Sequence, residues 1–272
     1  MSVNNIIFSE KIPRIIFIII VTLVLIFLII PIVIIIPMSF TSGRYLEFPP
    51  VNFSIRWYQV FFSNQEWMIS FGVSIQVALL TTFFSLIIGI PAAFAIVRTN
   101  IPFKGFFMAV FALPIVFPII VSAVSLYYLF APLQLVGTKI GLSISHTLLA
   151  LPVVILPTVA SLKRFDKNIE WQAQNLGASR IQVLSSITLP LLRPTLITAI
   201  LFSFIISFDE IIFAIFLSGG STITLPKKIW ESLRFEIEPT VAAVATIIII
   251  FSIAIMSAAL VTRQNFGFRT RG

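Results

Sequence analysis

Residues 15–36 form an almost unbroken series of Ile, Leu, Val and Phe, interrupted by Thr22 and Pro31. About 20 apolar helical residues suffice to cross the roughly 30 Å of bilayer hydrocarbon, so this run dictates a membrane span before any other feature is weighed. It is longer than a signal-peptide core and no small-residue cleavage site follows, which reads as a retained helix. Five further apolar runs follow, near residues 70–97, 105–131, 145–162, 194–217 and 240–262. The composition agrees: 58% of the 272 residues are apolar and only 10% charged. Mean hydropathy is +1.09, far outside the range of soluble domains.

The expectation is an all-α membrane protein with six transmembrane helices. A segment 1–14 precedes a single transmembrane domain, 15–262, and a short tail, 263–272, ends the chain. Pro91, Pro114, Pro118, Pro152 and Pro157 fall inside the runs, where neighbouring helices can satisfy the freed backbone groups, and they predict kinked helices. There is no cysteine, which excludes a disulfide framework and a cysteine metal site. One histidine, His146, excludes a histidine cluster; it falls at an expected helix start and reads as structural or interfacial.

Six spans put both termini on one side, and the distribution of Lys and Arg selects that side. With the N-terminus inside, the inner segments hold twelve Lys/Arg and the outer segments six. Both termini are thus expected in the cytoplasm, and the net charge of +8 concentrates where anionic lipid heads lie. Membrane lipid accounts for that charge and no nucleic acid is implied.

The longest inner loop, about 163–193, is polar and helix-prone. Asp166 or Asn168 can cap a first short helix, whose Ile169, Ala173 and Leu176 fall on one face. Gly177 can take the left-handed conformation that ends it. Ser179, with Gln182 three residues on, forms a capping box for a second helix. Pro190 is expected to interrupt that helix and Pro194 to open the fifth span. Such a bent knob suits a partner's groove or a bed of lipid heads equally well.

The spacing goes further. Ala173, Gly177, Ile187, Leu189 and Pro190 follow an order that resembles the second half of the EAA loop of ABC-importer permeases. The first half departs: Trp171 stands where the motif Glu is expected, Gln172 where its first Ala is, and Glu170 comes one residue early. Stretches such as RWYQVFFSN (56–64), NLGAS (175–179), TLPLLRP (188–194) and the segment SFDEIIFAIFLSGG onward (207–247) are similar to the second permease subunit of spermidine/putrescine importers. The resemblance covers roughly residues 31–261. It implies the type I ABC-importer permease fold in a bacterial inner membrane. It also implies a sister permease, two cytoplasmic ATP-binding subunits that hold ATP and Mg, and an extracytoplasmic solute-binding protein. Its coupling residues would be Glu170, Ala173, Leu176, Gly177, Leu189 and Pro190.

Asp209 and Glu210 lie deep in the fifth run, about 15 residues or roughly 22 Å from its inner start. An acid at that depth faces water, a partner or a cation, and is a functional candidate by default. On a continuous helix Ser203, Ser207, Glu210 and Ala214 share a small, polar stripe, while Asp209 sits with Ile206, Phe213 and Phe216. Both acids are candidates to receive a substrate ammonium group, or else to form structural bonds and caps. The outer segment 218–239 mixes Lys227, Lys228, Glu231, Arg234, Glu236 and Glu238, a surface suited to the binding protein. Trp57, Tyr58 and Trp67 suit interfacial anchors.

No GxxxxGK[ST] sequence is present, so ATP hydrolysis is assigned to a partner and the chain is expected to carry neither cofactor nor metal. Neither HExxH nor GxSxG occurs, which counts against an intramembrane enzyme. An ion-coupled secondary transporter is the other alternative; the chain has no detectable internal duplication to support it.

Overall fold

The computed structural model describes residues 3–50, 52–235 and 238–267. The expected tail 263–272 runs past them, and Met1, Ser2 and Glu236 lie outside them. The described residues are helical apart from loops and an isolated bridge between Thr41 and Phe53. The chain divides into two compact units, residues 1–63 with 232–249 and residues 64–231 with 250–272.

The first unit is built on α1 (Val3–Met38), followed by a loop and α2 (Arg56–Ser63). Along the span-length part of α1, residues 15–33 are exposed and residues 34–38 half-buried. Past its end the polar groups find partners. Ser39 Oγ and Tyr58 OH lie 2.6 Å apart, and Trp57 Nε1 donates to the Gly43 carbonyl at 3.0 Å. Tyr58 and Trp57, expected as interfacial anchors, therefore pin the loop.

The second unit opens with α3 (Gln65–Arg98), capped by Asn64, whose side chain accepts from the N–H groups of Glu66 and Trp67. It continues with α4 (Lys104–Val116), α5 (Ile119–Phe130) and α6 (Lys139–Arg164). The short helices α7 (Lys167–Asn175) and α8 (Arg180–Val183) lead through a π-helical turn, Leu184–Thr188, into α9 (Leu189–Phe208). Then come α10 (Ile212–Leu217), α11 (Leu225–Phe235) and α12 (Thr240–Gly267), of which residues 232–249 are counted with the first unit.

Helices α3, α6 and α9 pack on one another to make the centre of this unit. In lipid the tails are as apolar as leucine, so close packing and interhelical hydrogen bonds hold such helices together. At Gly89 an added Cβ would stand 2.8 Å from Val154 Cγ1, which fixes how near α3 comes to α6. Thr81 Oγ1 donates to the Ser143 carbonyl across the same pair, and Ser161 and Thr195 hydroxyls meet at 2.7 Å between α6 and α9.

Two expectations need correction, those for Pro190 and for the fifth apolar run. Among the described residues five helices are long and apolar enough to span a membrane, or six if the bent pair α4 and α5 counts as one span. Their run is bent by 104° at Phe117–Pro118. Pro118 lacks an N–H and disfavours helical geometry at Phe117, which is extended at φ −75°, ψ 137°. Pro190 does not interrupt its helix. The helical path runs from Arg180 to Phe208, because the wider π turn just before Pro190 absorbs its missing donor, with Leu189 N–H reaching back to the Leu184 carbonyl. The fifth apolar run, by contrast, is not one helix: α9 stops at Phe208 and α10 starts at Ile212.

Candidate functional site

Two places carry chemistry, both within the second unit. The first is the corner formed by α7 and α8. Asp166 caps α7 by accepting from Asn168 N–H at 2.9 Å, and Gly177 ends it at φ +94°. The turn is closed by Gly177 N–H to the Gln174 carbonyl, 2.9 Å, and Ala178 N–H to the Ala173 carbonyl, 3.0 Å. Ser179 and Gln182 form the reciprocal capping box at 3.3 and 2.8 Å. The corner exposes three large apolar side chains among polar ones: Leu176 is 89% exposed, Ile181 78% and Trp171 59%. α7 itself buries none of its residues.

Glu170, the acid one residue ahead of the expected motif position, turns inward. Arg98 Nη2 donates to its Oε1 at 2.8 Å, and Thr188 Oγ1 donates to the same oxygen at 2.9 Å. The Arg98 guanidinium also lies 5.7 Å from the Phe165 ring centroid. A pocket of about 480 Å³ borders this cluster, with Lys167, Trp171 and Arg180 on its walls. Sequence reading named Glu170 but not Arg98 or Thr188. The separations of 72 and 18 residues carry no local pattern, and a lone Arg closing a long apolar helix was the available sign.

The coupling candidates thus divide. Glu170, Ala173, Leu176 and Gly177 belong to α7 and its cap, whereas Leu189 and Pro190 open α9 beyond the π turn. Leu189 joins Leu184 and the α3 residues Ile87, Ile90 and Phe94 around an apolar pocket of about 710 Å³.

The second place is the break between α9 and α10. Asp209 ends α9 and is exposed. Glu210 is 7% exposed and is consumed locally: its Oε1 accepts from Ile212 N–H at 2.9 Å and its Oε2 from Phe213 N–H at 2.7 Å. It is the cap that lets α10 restart, so the expected stripe of Ser203, Ser207, Glu210 and Ala214 on a continuous helix does not form. Ser203, Ser207 and Ala214 are buried. His146, expected at a helix start, lies inside α6 and is fully buried. Its Nδ1 is 2.8 Å from Ser207 Oγ, which donates to Thr81 Oγ1 at 3.1 Å, and its Nε2 stands 3.5 Å from Glu210 Oε2. The ring stacks on Phe213 at 6.1 Å. Hydrogen bonds therefore join α3, α6 and α9 through Thr81, Ser207 and His146, while His146 Nε2 is buried and makes no hydrogen bond among the described residues. Among the described residues no group of three or more His, Asp or Glu is placed to hold a metal ion.

Further out, Lys228 pairs with Glu66 and Leu225 N–H donates to Ser74 Oγ at 2.7 Å, so the start of α11 is tied to α3.

Comparison with known proteins places this architecture. The family described as binding-protein-dependent transport system inner membrane component matches residues 85–267. The spermidine/putrescine transport system permease protein PotC of Escherichia coli (strain K12) is 31% identical over 242 residues, 86% of this chain and 89% of that one. The putrescine transport system permease protein PotI of the same organism is 29% identical over 227 residues, 80% of each chain. A solved bacterial ABC transporter involved in import of the acidic polysaccharide alginate superposes with a TM-score of 0.73 at 19% identity, covering 93% of this chain and 96% of that one. The apolar helices, the capped corner and these matches together establish that the chain belongs to the binding-protein-dependent transport system inner membrane components, the permeases of ABC importers.

Proposed function

We propose that this chain forms half of the transmembrane pathway of an ABC importer for putrescine, spermidine or a related small organic cation. In this reading α4 and α5 together make the sixth span, both termini are cytoplasmic, and a sister permease completes the pathway. An extracytoplasmic binding protein delivers the solute. Two cytoplasmic ATP-binding subunits hold ATP and Mg and supply the energy.

The observation that carries the reading is the rigid α7–Gly177–α8 corner with Leu176 almost wholly exposed at its tip. A corner fixed by two caps can transmit force, and its bare apolar side chain needs a partner's cleft. Glu170, Ala173, Leu176 and Gly177 are its coupling residues, and Leu189 and Pro190 anchor it to α9. The polyamine assignment rests on the similarity to two polyamine permeases and on Asp209, an acid left exposed at a break in an apolar run. Glu210 supports that break as a cap and stands next to the path. A different solute, such as an amino-acid derivative, is the second reading, because a permease for an acidic polysaccharide shares the fold.

The test is ATP hydrolysis by the reconstituted complex with binding protein present. Putrescine-loaded binding protein should raise hydrolysis severalfold over the unloaded form. Stimulation by another loaded solute, with none by putrescine or spermidine, would move the substrate to the second reading.

A further inference from the structure

The Arg98, Glu170 and Thr188 cluster joins three elements that otherwise have separate fates: the end of a long membrane helix, the coupling helix and the π turn that starts α9. We propose that it is a strut that carries movement of the coupling corner into α3 and α9 together, with Arg98 and Thr188 as positioning residues acting through Glu170. This rests on the importer reading above.

Four observations converge on it. The Arg98 and Glu170 side chains are only 16% and 14% exposed, so their attraction is little screened by solvent. Both donors reach one carboxylate oxygen, so α7 cannot shift without stretching a bond to α3, to the π turn or to both. Arg98 Nε and Nη1 are buried and make no hydrogen bond among the described residues, which leaves Glu170 as the hydrogen-bonded partner that holds the guanidinium in place. The Phe165 ring, in the link between α6 and α7, closes the remaining side. The π turn adds the complementary property. Wider and less regular than α-helix, it is the point at which a pull on Thr188 rotates the start of α9 with least damage to the helix.

Such a strut gives the early acid a role that does not require it to reach the ATP-binding subunit. Trp171, Leu176 and Ile181 are exposed and available for that contact, and Glu170 faces back into its own chain.

The experiment uses the full complex in proteoliposomes with labelled putrescine, reading solute imported per ATP hydrolysed and the ATP-binding subunit retained after gel filtration. Arg98→Gln and Glu170→Gln should each lower solute per ATP at least about fivefold with the ATP-binding subunits still bound. The double variant should be no worse than either single, because the same ion pair is lost in all three. Thr188→Val keeps the shape and the ion pair, provides a folded control, and should lower the ratio about twofold. Losses that multiply in the double variant, unchanged ratios in the singles, or ATP-binding subunits lost from Glu170→Gln but kept by Arg98→Gln would each overturn the strut. The unsubstituted complex reads the importer proposal separately: absence of any ATP-driven uptake there would sink that proposal, not the strut alone.

Discussion

Gly177 offers a perturbation whose size follows from the backbone alone. Its φ of +94° lies in the region that L side chains resist, yet a Cβ built on it meets nothing within 4 Å. Steric repacking is thereby removed from the problem, and Gly177→Ala isolates the cost of the left-handed conformation, about 1–2 kcal/mol. Asn tolerates that region better than Ala, and a β-branched residue tolerates it less, so the order of penalty is Asn, Ala, Val. If docking of the ATP-binding subunit requires the bent corner, each unit of penalty lowers the population of the competent form. The Ala variant should then bind that subunit about 5- to 30-fold more weakly. Dissociation of the detergent-solubilised complex on dilution measures this directly, with insertion into the membrane as the control for folding. Equal affinities across Gly, Asn, Ala and Val would refute the argument, because they would mean that the corner is not held in the docked state at φ +94°.

The two acids at the helix break separate by their local roles. Asp209→Asn should raise the putrescine concentration for half-maximal uptake several-fold with the yield of complex unchanged. Glu210→Ala leaves the Ile212 and Phe213 N–H groups uncapped in a buried site, about 2–5 kcal/mol, and should lower the yield itself. Glu210→Gln retains one carbonyl acceptor and should fall between wild type and Ala in yield. At the α3–α6 crossing, Gly89→Ala forces a methyl to within 2.8 Å of Val154 and should destabilise the helix pair by about 1–3 kcal/mol, with recovery in combination with Val154→Ala. Thermal unfolding in detergent reads that pair of variants.

What the sequence made legible was whatever is decided within a few residues. The Asp166 and Ser179 caps and the Gly177 turn are local bonds between neighbours, and their residue types announce them. Apolar length likewise located α1, α3, α6 and α12. Pro118 was visible, but whether it kinks or breaks a helix depends on what covers the freed carbonyls, and here the axis turns by 104°. The α9–α10 break has neither Pro nor Gly to mark it. Glu210 makes it by offering its carboxylate to two N–H groups, so an acid that reads as a path residue on an unbroken helix is a cap on a broken one. His146 meeting Ser207 and Arg98 meeting Glu170 join residues 61 and 72 positions apart, and only the packing of α3, α6 and α9 brings them together.

The most direct test of the central claim is uptake of labelled putrescine into proteoliposomes that contain this permease, its sister subunit, the ATP-binding subunits and the binding protein. Uptake that requires hydrolysable ATP, disappears with hydrolysis-dead ATP-binding subunits and is blocked by spermidine is the predicted result. Uptake that persists with those dead subunits, or follows an ion gradient instead, would contradict the account.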